Sequence, residues 1–313
     1  MDIIYNKIFL EHNTGGHPES RKRLEVLGKI KETKIRSGEK YLTLVHSKEY
    51  IDKIKEIVKE RRFLDMDTVT CKKSYEVACY AVGASILASE RNDFALVRPP
   101  GHHAGPDYGG GFCLFNNLAV AVQKIVNQGK RVFILDFDSH YGEGTAEIFR
   151  KTKGVLYTSI HQYPAYPGKG WIKEMKKSKG RNVCIPLPER SGDDLFLFSG
   201  EYLLEIAKEF KPDVIAVSAG FDGHYSEELL GLNLSAVSYY KIAKMFSSEF
   251  DNIFAVLEGG YDLEFFPKCL YNFISGVNKE GLKFKDKETK SKEDVKKEFN
   301  KRMNSIKKVF NKK

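Results

Sequence analysis

The 313-residue chain is 42 % apolar, 30 % charged and 12 % aromatic, which excludes a disordered or collagen-like polypeptide and leaves enough chain to bury a core without disulfides. Its formal charge is +9, but Lys279–Lys313 holds 14 basic and 6 acidic residues, leaving 37 against 36 in the body, so the basicity is no argument for nucleic-acid binding by the body. Five scattered cysteines (Cys71, Cys79, Cys113, Cys184, Cys269) form no C-x-x-C pair, which argues against a cysteine-built zinc site or a disulfide framework and for a reduced, cytoplasmic protein.

Met1–Tyr5 lacks the basic and apolar runs of a secretory leader. The apolar run Tyr80–Ala88, broken by Gly83 and Ser85, is far short of the about 20 residues a membrane span needs, and no membrane association is expected. The pattern predicts a buried helix over Tyr75–Glu90 and a strand at Phe94–Val97. A helix over Leu118–Val126 follows, with Asn116 or Asn117 as its cap and Gly129 at its end. Strands are predicted at Val132–Leu135, Val155–Ile160, Val214–Val217 and Ile253–Leu257, and helices over Leu195–Phe210 and Ala236–Phe250, the second capped by Ser235. Continuous apolar strands alternating with helices predict one α/β domain over residues 1–280, its mostly parallel sheet covered on both faces. Residues 281–313 form a Lys-rich extension. Val295, Phe299, Met303, Ile306 and Phe310 recur there at helical spacing, so Lys292–Lys313 reads as a basic amphipathic helix that either docks on the body or meets an acidic partner such as nucleic acid.

Ligands of open parallel sheets bind outside the carboxyl ends of the strands. Here those ends carry Arg98-Pro99-Pro100-Gly101-His102-His103, Asp136-Phe137-Asp138-Ser139-His140, Ser159-Ile160-His161, Ser218-Ala219-Gly220-Phe221-Asp222 and Glu258-Gly259-Gly260-Tyr261. Alternate residues of an extended strand face one side, so Asp136, Asp138 and His140 are expected together. Asp138 and His140, joined by Asp222, make a His/Asp₂ set with an open position, as expected of a catalytic zinc. His102 and His103 on a Pro-Pro-Gly turn can reach different partners as an acid/base pair, with Asp136 behind one imidazole. The Tyr261 hydroxyl can donate to a developing oxyanion. Gly109-Gly110-Gly111-Phe112 and Pro164-Ala165-Tyr166-Pro167-Gly168 can wall a narrow apolar channel. These parts imply metal-assisted hydrolysis, an activated water attacking a carbonyl. No G-x-S-x-G elbow, phosphate-binding loop or G-x-G-x-x-G competes.

From about Tyr5 to Val277 the sequence resembles the histone deacetylase superfamily, which also includes acetylpolyamine amidohydrolases and acetoin-utilisation proteins. The motifs are His17-Pro18-Glu19, Arg98-Pro99-Pro100-Gly101-His102-His103-Ala104, Gly111-Phe112-Cys113-Leu114-Phe115-Asn116-Asn117, Asp136-x-Asp138-x-His140, Ser159-Ile160-His161-Gln162-Tyr163-Pro164, Ser218-Ala219-Gly220-Phe221-Asp222 and Leu257-Glu258-Gly259-Gly260-Tyr261. Two of these forms, Arg-Pro-Pro-Gly-His-His and Ser-Ile-His-Gln-Tyr-Pro, resemble class II and bacterial members. The resemblance implies the arginase/deacetylase three-layer fold with about eight strands. It implies Zn²⁺, or Fe²⁺ in the cell, on Asp138, His140 and Asp222. His102 and His103 would be the acid/base pair, Asp136 would orient His102, and Tyr261 would polarise the carbonyl. Phe112 and Tyr166, with Gly111, would flank the acyl-lysine channel. A structural K⁺ would use Asp136, Asp138, His140, Ser159 and Ile160.

Two stretches depart from the family pattern. In His140-Tyr141-Gly142-Glu143-Gly144, a tyrosine stands for a histidine and Glu143 for the Asn or Asp that supports the second catalytic histidine. Gly223–Leu229 lacks the usual Asp-Pro-Leu. The resulting expectation is a metal-dependent deacetylase of acetyl-lysine in protein or of acetylpolyamine. The alternatives are an arginase-like ureohydrolase with two Mn²⁺ ions and a catalytically weak acyl-lysine-binding member of the same fold.

Overall fold

The computed structural model describes residues 1–178 and 181–310. The β-branched runs form strands β1 (Ile3–Ile4), β2 (Phe94–Ala95), β3 (Val132–Asp136), β4 (Val155–Gln162), β5 (Asn182–Leu187), β6 (Val214–Ala219) and β7 (Ile253–Leu257). They make one sheet in the order β1-β2-β7-β6-β3-β4-β5, with every neighbouring pair parallel. The count among the described residues is seven, against the eight or so that the resemblance implied. The apolar residues after β7 instead enter a helix, Phe266–Val277. Strand β2 stops at Ala95 rather than Val97, since the chain runs on into Pro99-Pro100, which have no N–H to donate to a ladder.

Ten α-helices surround the sheet among the described residues. They are α1 (Lys22–Glu25), α2 (Lys48–Glu60), α3 (Ser74–Arg91), α4 (Asn117–Val126), α5 (Glu143–Phe149), α6 (Ile172–Lys177), α7 (Asp193–Phe210), α8 (Ala236–Ser247), α9 (Phe266–Val277) and α10 (Glu293–Phe310). Helix α3 has buried residues all round, as its apolar circumference requires. The Asn116 side chain caps α4 by accepting the Ala119 N–H. Ser235 precedes α8 but makes no side-chain cap; its hydroxyl bonds Asp193 instead. On one face of β3, Phe133 packs against Phe210 of α7 and Phe246 of α8, and just beyond the strand Phe137 meets Phe196, Tyr239 and Phe273 of α7, α8 and α9.

The apolar stripe of α10 lies against the body. Val295, Phe299, Met303 and Ile306 are all buried, and Arg302 donates to the Tyr163 carbonyl at 2.8 Å. The predicted Phe310 contact and the last residues of the tail helix fall outside the described side chains and residues. No described helix is long and apolar enough to cross a membrane.

Strand order reverses at β3, where the chain proceeds through β4 to β5 on one side and returns to β6 on the other. The crevice outside the carboxyl ends of β3 and β6 is therefore a topological switch point, where such sheets bind ligands.

Candidate active site and metal centre

Asp138, His140 and Asp222 meet at this switch point. Their ligand atoms all lie within 4.8 Å of one another. The cause differs in one respect from the strand argument. Strand β3 ends at Asp136, and the following turn keeps the alternating placement by side-chain bonds. Asp136 Oδ1 accepts the Asp138 N–H at 3.1 Å, and Asp138 Oδ1 accepts the His140 N–H at 2.9 Å. Asp222, after β6, accepts the Ser139 N–H through Oδ1 at 2.9 Å and reaches His140 Nδ1 through Oδ2 at 2.7 Å. Gly259 donates its N–H to Asp138 Oδ2 at 2.7 Å. A Cβ at Gly259 would come within 2.7 Å of that oxygen and 2.8 Å of Asp222 Oδ2, so the glycine is what admits both carboxylates.

Two buried carboxylates converge on one imidazole nitrogen. Burial disfavours an imidazolium there, but Asp222 and Asp138 outweigh it and push His140 up to about 10. The same field suits a divalent cation, and the donor set of one imidazole and two carboxylates matches what zinc or iron accepts. The residues present fit the implied metal.

The histidine pair stands beside this triad. His102 Nδ1 is 3.2 Å from Asp136 Oδ2, which also accepts the Tyr157 hydroxyl at 2.8 Å. His103 Nδ1 is 2.6 Å from Glu143 Oε2. Burial works against charge on both rings. At His102 the Asp138 and Asp136 carboxylates overcome it, raising the pKa well above the ordinary value. At His103 burial is joined by the neighbouring His102, and the pKa is lowered despite Glu143. The two rings are thus shifted in opposite directions, and His103 is the one that stays neutral and free to accept a proton. Glu258 holds the turn that presents them. Its Oε2 accepts the N–H groups of Gly101 and His102 at 2.7 and 3.1 Å, and its Oε1 accepts the Ser218 hydroxyl at 3.0 Å.

Tyr141 points elsewhere. Its ring packs on His161 at 4.9 Å, and its oxygen accepts from Asn182 at 2.6 Å. It serves the interior beside β4 and β5. Ser159 and Ile160 lie on β4, Ser159 opposite Asp136 in register, and the Ser159 hydroxyl is hydrogen-bonded to His161 Nδ1 at 2.8 Å.

A cavity of about 160 Å³ opens over these groups. His102, His103, His140, Gly111, Phe112, Tyr166, Gly259 and Tyr261 line it, with Pro100, Asp67 and Leu229. The Tyr166 ring meets His103 at 5.0 Å, and Phe112 meets Tyr261 edge-on at 5.7 Å. Gly111 has φ +51°, and a Cβ there would strike His103 Cδ2 at 2.6 Å and Tyr166 at 2.8 Å. Burial raises the Tyr261 phenol well above its ordinary value, so it keeps its proton.

Several site residues were not read from the sequence as participants. Asp67 sits in a loop whose only signal was polarity, while Leu229 closes the Gly223–Leu229 stretch that departs from the family pattern. Arg23 and Glu19 belong to a buried ion cluster. Arg98 grips Glu19 at 2.6 and 2.8 Å. Arg23 donates to the carbonyls of Gly260 and Glu258, both at 2.6 Å, and lies 4.7 Å from the Tyr261 ring centre. Its ordinary i, i+4 spacing from Glu19 gave no hint of that reach.

An open parallel sheet with a cation-compatible centre at its switch point has the layout of an α/β protein that takes its ligand at the carboxyl ends of its strands. Residues 17–277 match the histone deacetylase domain, and this chain belongs to the histone deacetylase family. A probable deacetylase of Archaeoglobus fulgidus is 36 % identical over 292 residues, covering 84 % of this chain and 81 % of that protein. Histone deacetylase 14, chloroplastic, of Arabidopsis thaliana is 33 % identical over 309 residues, covering 84 % and 73 %. The crystal structure of the HDA15 HD domain superposes with a TM-score of 0.86 at 28 % identity, covering 98 % of this chain and 94 % of that one. The fold is that of the family, and a deacetylase, hence hydrolase, role is supported.

Proposed function

We propose that the chain removes an acetyl group from an acetylated amine by hydrolysis, the substrate being acetyl-lysine in protein or an acetylpolyamine. The observation that carries this reading is that one cavity is lined by His140 of the candidate metal triad, the polarised histidine pair and Tyr261. Zn²⁺, or Fe²⁺ in the cell, held by Asp138, His140 and Asp222 supplies Lewis acidity toward a carbonyl oxygen and acidifies a water.

The chain's own groups do the rest. Glu143 fixes the proton of His103 on Nδ1, leaving Nε2 as the lone pair that takes a proton from the attacking water. His102, braced by Asp136 Oδ2 at 3.2 Å, would stand beside negative charge as it develops. The Tyr261 phenol donates to the carbonyl oxygen as it becomes an oxyanion. His103 Nε2–H then protonates the leaving nitrogen. Phe112 and Tyr166 exclude water from the flanks of an extended amine side chain. A structural K⁺ beside Asp136, Asp138, His140, Ser159 and Ile160 and a cytoplasmic setting complete the reading; the five unpaired thiols suit a reducing compartment. The test is a turnover panel of acetyl-lysine peptides and acetylpolyamines with metal-loaded and chelated protein. Chelator-sensitive release of acetate from one class supports the reading, and its absence from both refutes it.

A further inference from the structure

We infer that Glu227 is the positioning residue for Tyr261, tying the loop at the cavity mouth to the group that meets the carbonyl oxygen. This inference rests on the deacetylase reading above. Glu227 Oε1 accepts two successive backbone N–H groups, from Tyr261 at 2.6 Å and from Asp262 at 2.9 Å. The hydrogen-bonded backbone of Tyr261 is thus anchored to a side chain 34 residues away in sequence.

The clamp is built on a rigid base. Glu227 N–H donates to the His224 carbonyl at 2.9 Å, closing a turn. That turn is pinned by His224 Nε2 against Asp286 Oδ2 at 2.9 Å and by Tyr225 N–H on the Leu234 carbonyl at 2.9 Å. One loop therefore carries the candidate ligand Asp222, the clamp Glu227 and the cavity-wall residue Leu229.

Tyr261 needs such a device. It follows Gly259-Gly260, and Gly260 has φ +115°, so the local backbone does little to fix it. Its ring meets the Arg23 guanidinium by its face and Phe112 edge-on. Arg23 holds the Gly260 carbonyl from one side. Glu227 holds the next two N–H groups from the other. The carboxylate occurs in the stretch where this chain departs from the family's Asp-Pro-Leu, so the departure keeps an acidic acceptor at the mouth.

The experiment is a double-mutant cycle on metal-loaded protein with the acetylated substrate that the panel selects. Glu227→Ala is expected to lower kcat by about 10- to 100-fold, the scale of a misplaced reacting group, with metal content and KM little changed. Glu227→Gln, which keeps an acceptor oxygen, should stay within about threefold of wild type. In a Tyr261→Phe background Glu227→Ala should add less than about twofold, because the clamp acts through a hydroxyl already removed. Equal losses in both backgrounds, or full activity of Glu227→Ala, would overturn the inference. Hydrogen exchange of the Tyr261 and Asp262 amides is the second readout. Protection in wild type that falls in Glu227→Ala supports the clamp, and absence of protection in wild type refutes it whether or not any variant folds. If wild type hydrolyses no acetylated amine, the deacetylase reading fails, while the exchange result still decides the clamp.

Discussion

His103 Nδ1 and Glu143 Oε2 lie 2.6 Å apart, both groups almost fully enclosed. The extra methylene of Glu143 is accommodated because α5 starts at this residue, so its side chain leaves from the first turn, directly beneath the imidazole. In the proposed reaction this contact would hold the His103 proton on Nδ1 and stabilise the imidazolium formed when Nε2 takes a proton. Glu143→Gln is expected to cut kcat by about 10²- to 10⁴-fold, the span attributed to general-base catalysis, with metal content unchanged. Glu143→Asp should also lose activity, since the shorter side chain falls short of Nδ1. Steady-state kinetics with metal analysis check both.

Tyr261→Phe removes one hydroxyl and no packing atom. A single oxyanion donor is worth about 10²- to 10³-fold in kcat. The variant should fold, retain metal and lose activity on that scale. Near-normal turnover would remove Tyr261 from the mechanism.

Glu19 is buried between Arg98 and Arg23. Burial opposes its ionisation, but the Arg98 charge and hydrogen bonds, with His12 and Arg23, lower its pKa from 4.5 to about 2. A carboxylate with a depressed folded pKa contributes stability that is complete above its unfolded value and lost as pH falls through the folded one. The contribution is roughly 3 kcal/mol, disappearing between about pH 4.5 and pH 2. Glu19→Gln should flatten the acid arm of the stability curve in that window. At neutral pH it should cost about 3–5 kcal/mol, because two buried guanidinium groups lose their counter-charge. Urea unfolding from pH 7 to pH 2 measures both effects.

The main strands and the site motifs were legible because each pairs a continuous apolar run with a chemically distinctive end. Asp136-x-Asp138-x-His140 stands out at the end of Val132–Leu135 for that reason. Strand β5 escaped notice: Asn182-Val183-Cys184-Ile185-Pro186-Leu187 contains a proline that argues against a strand. At the edge of the sheet, next to β4 alone, a proline is tolerated. Helix α2, Lys48–Glu60, was not predicted although it was legible: Ser47 caps it, and its buried Tyr50, Ile51, Ile54, Ile57 and Val58 recur at helical spacing. Glu227 and Arg23 were illegible as site residues because each acts on backbone groups that are distant in sequence, and no local pattern encodes which carbonyl or N–H a side chain will reach.

The tail helix spends its apolar stripe on the body, and its lysines face outward. A fully buried apolar side chain is worth roughly 1.5–3 kcal/mol before entropy. Removing the residues after Lys292, which leaves the Asp286 pin of the Glu227 loop in place, is therefore expected to lower Tm by about 5–10 °C, measured by calorimetry. DNA affinity measured against salt tests the partner idea alongside. Equal, weak binding by full-length and shortened chains means that the helix is a structural strap. A steep salt dependence seen only with the tail would assign it an acidic partner.

If Asp138, His140 and Asp222 hold the proposed catalytic cation, calorimetric titration of zinc into metal-free protein, with acetylated-substrate turnover followed at each addition, will show it. One ion per chain is predicted, with turnover rising in step with occupancy and both abolished by Asp138→Asn or Asp222→Asn. Two ions per chain would favour the ureohydrolase alternative, and turnover that proceeds without metal, or zinc that binds undiminished in those variants, would rule out a catalytic cation on these three residues.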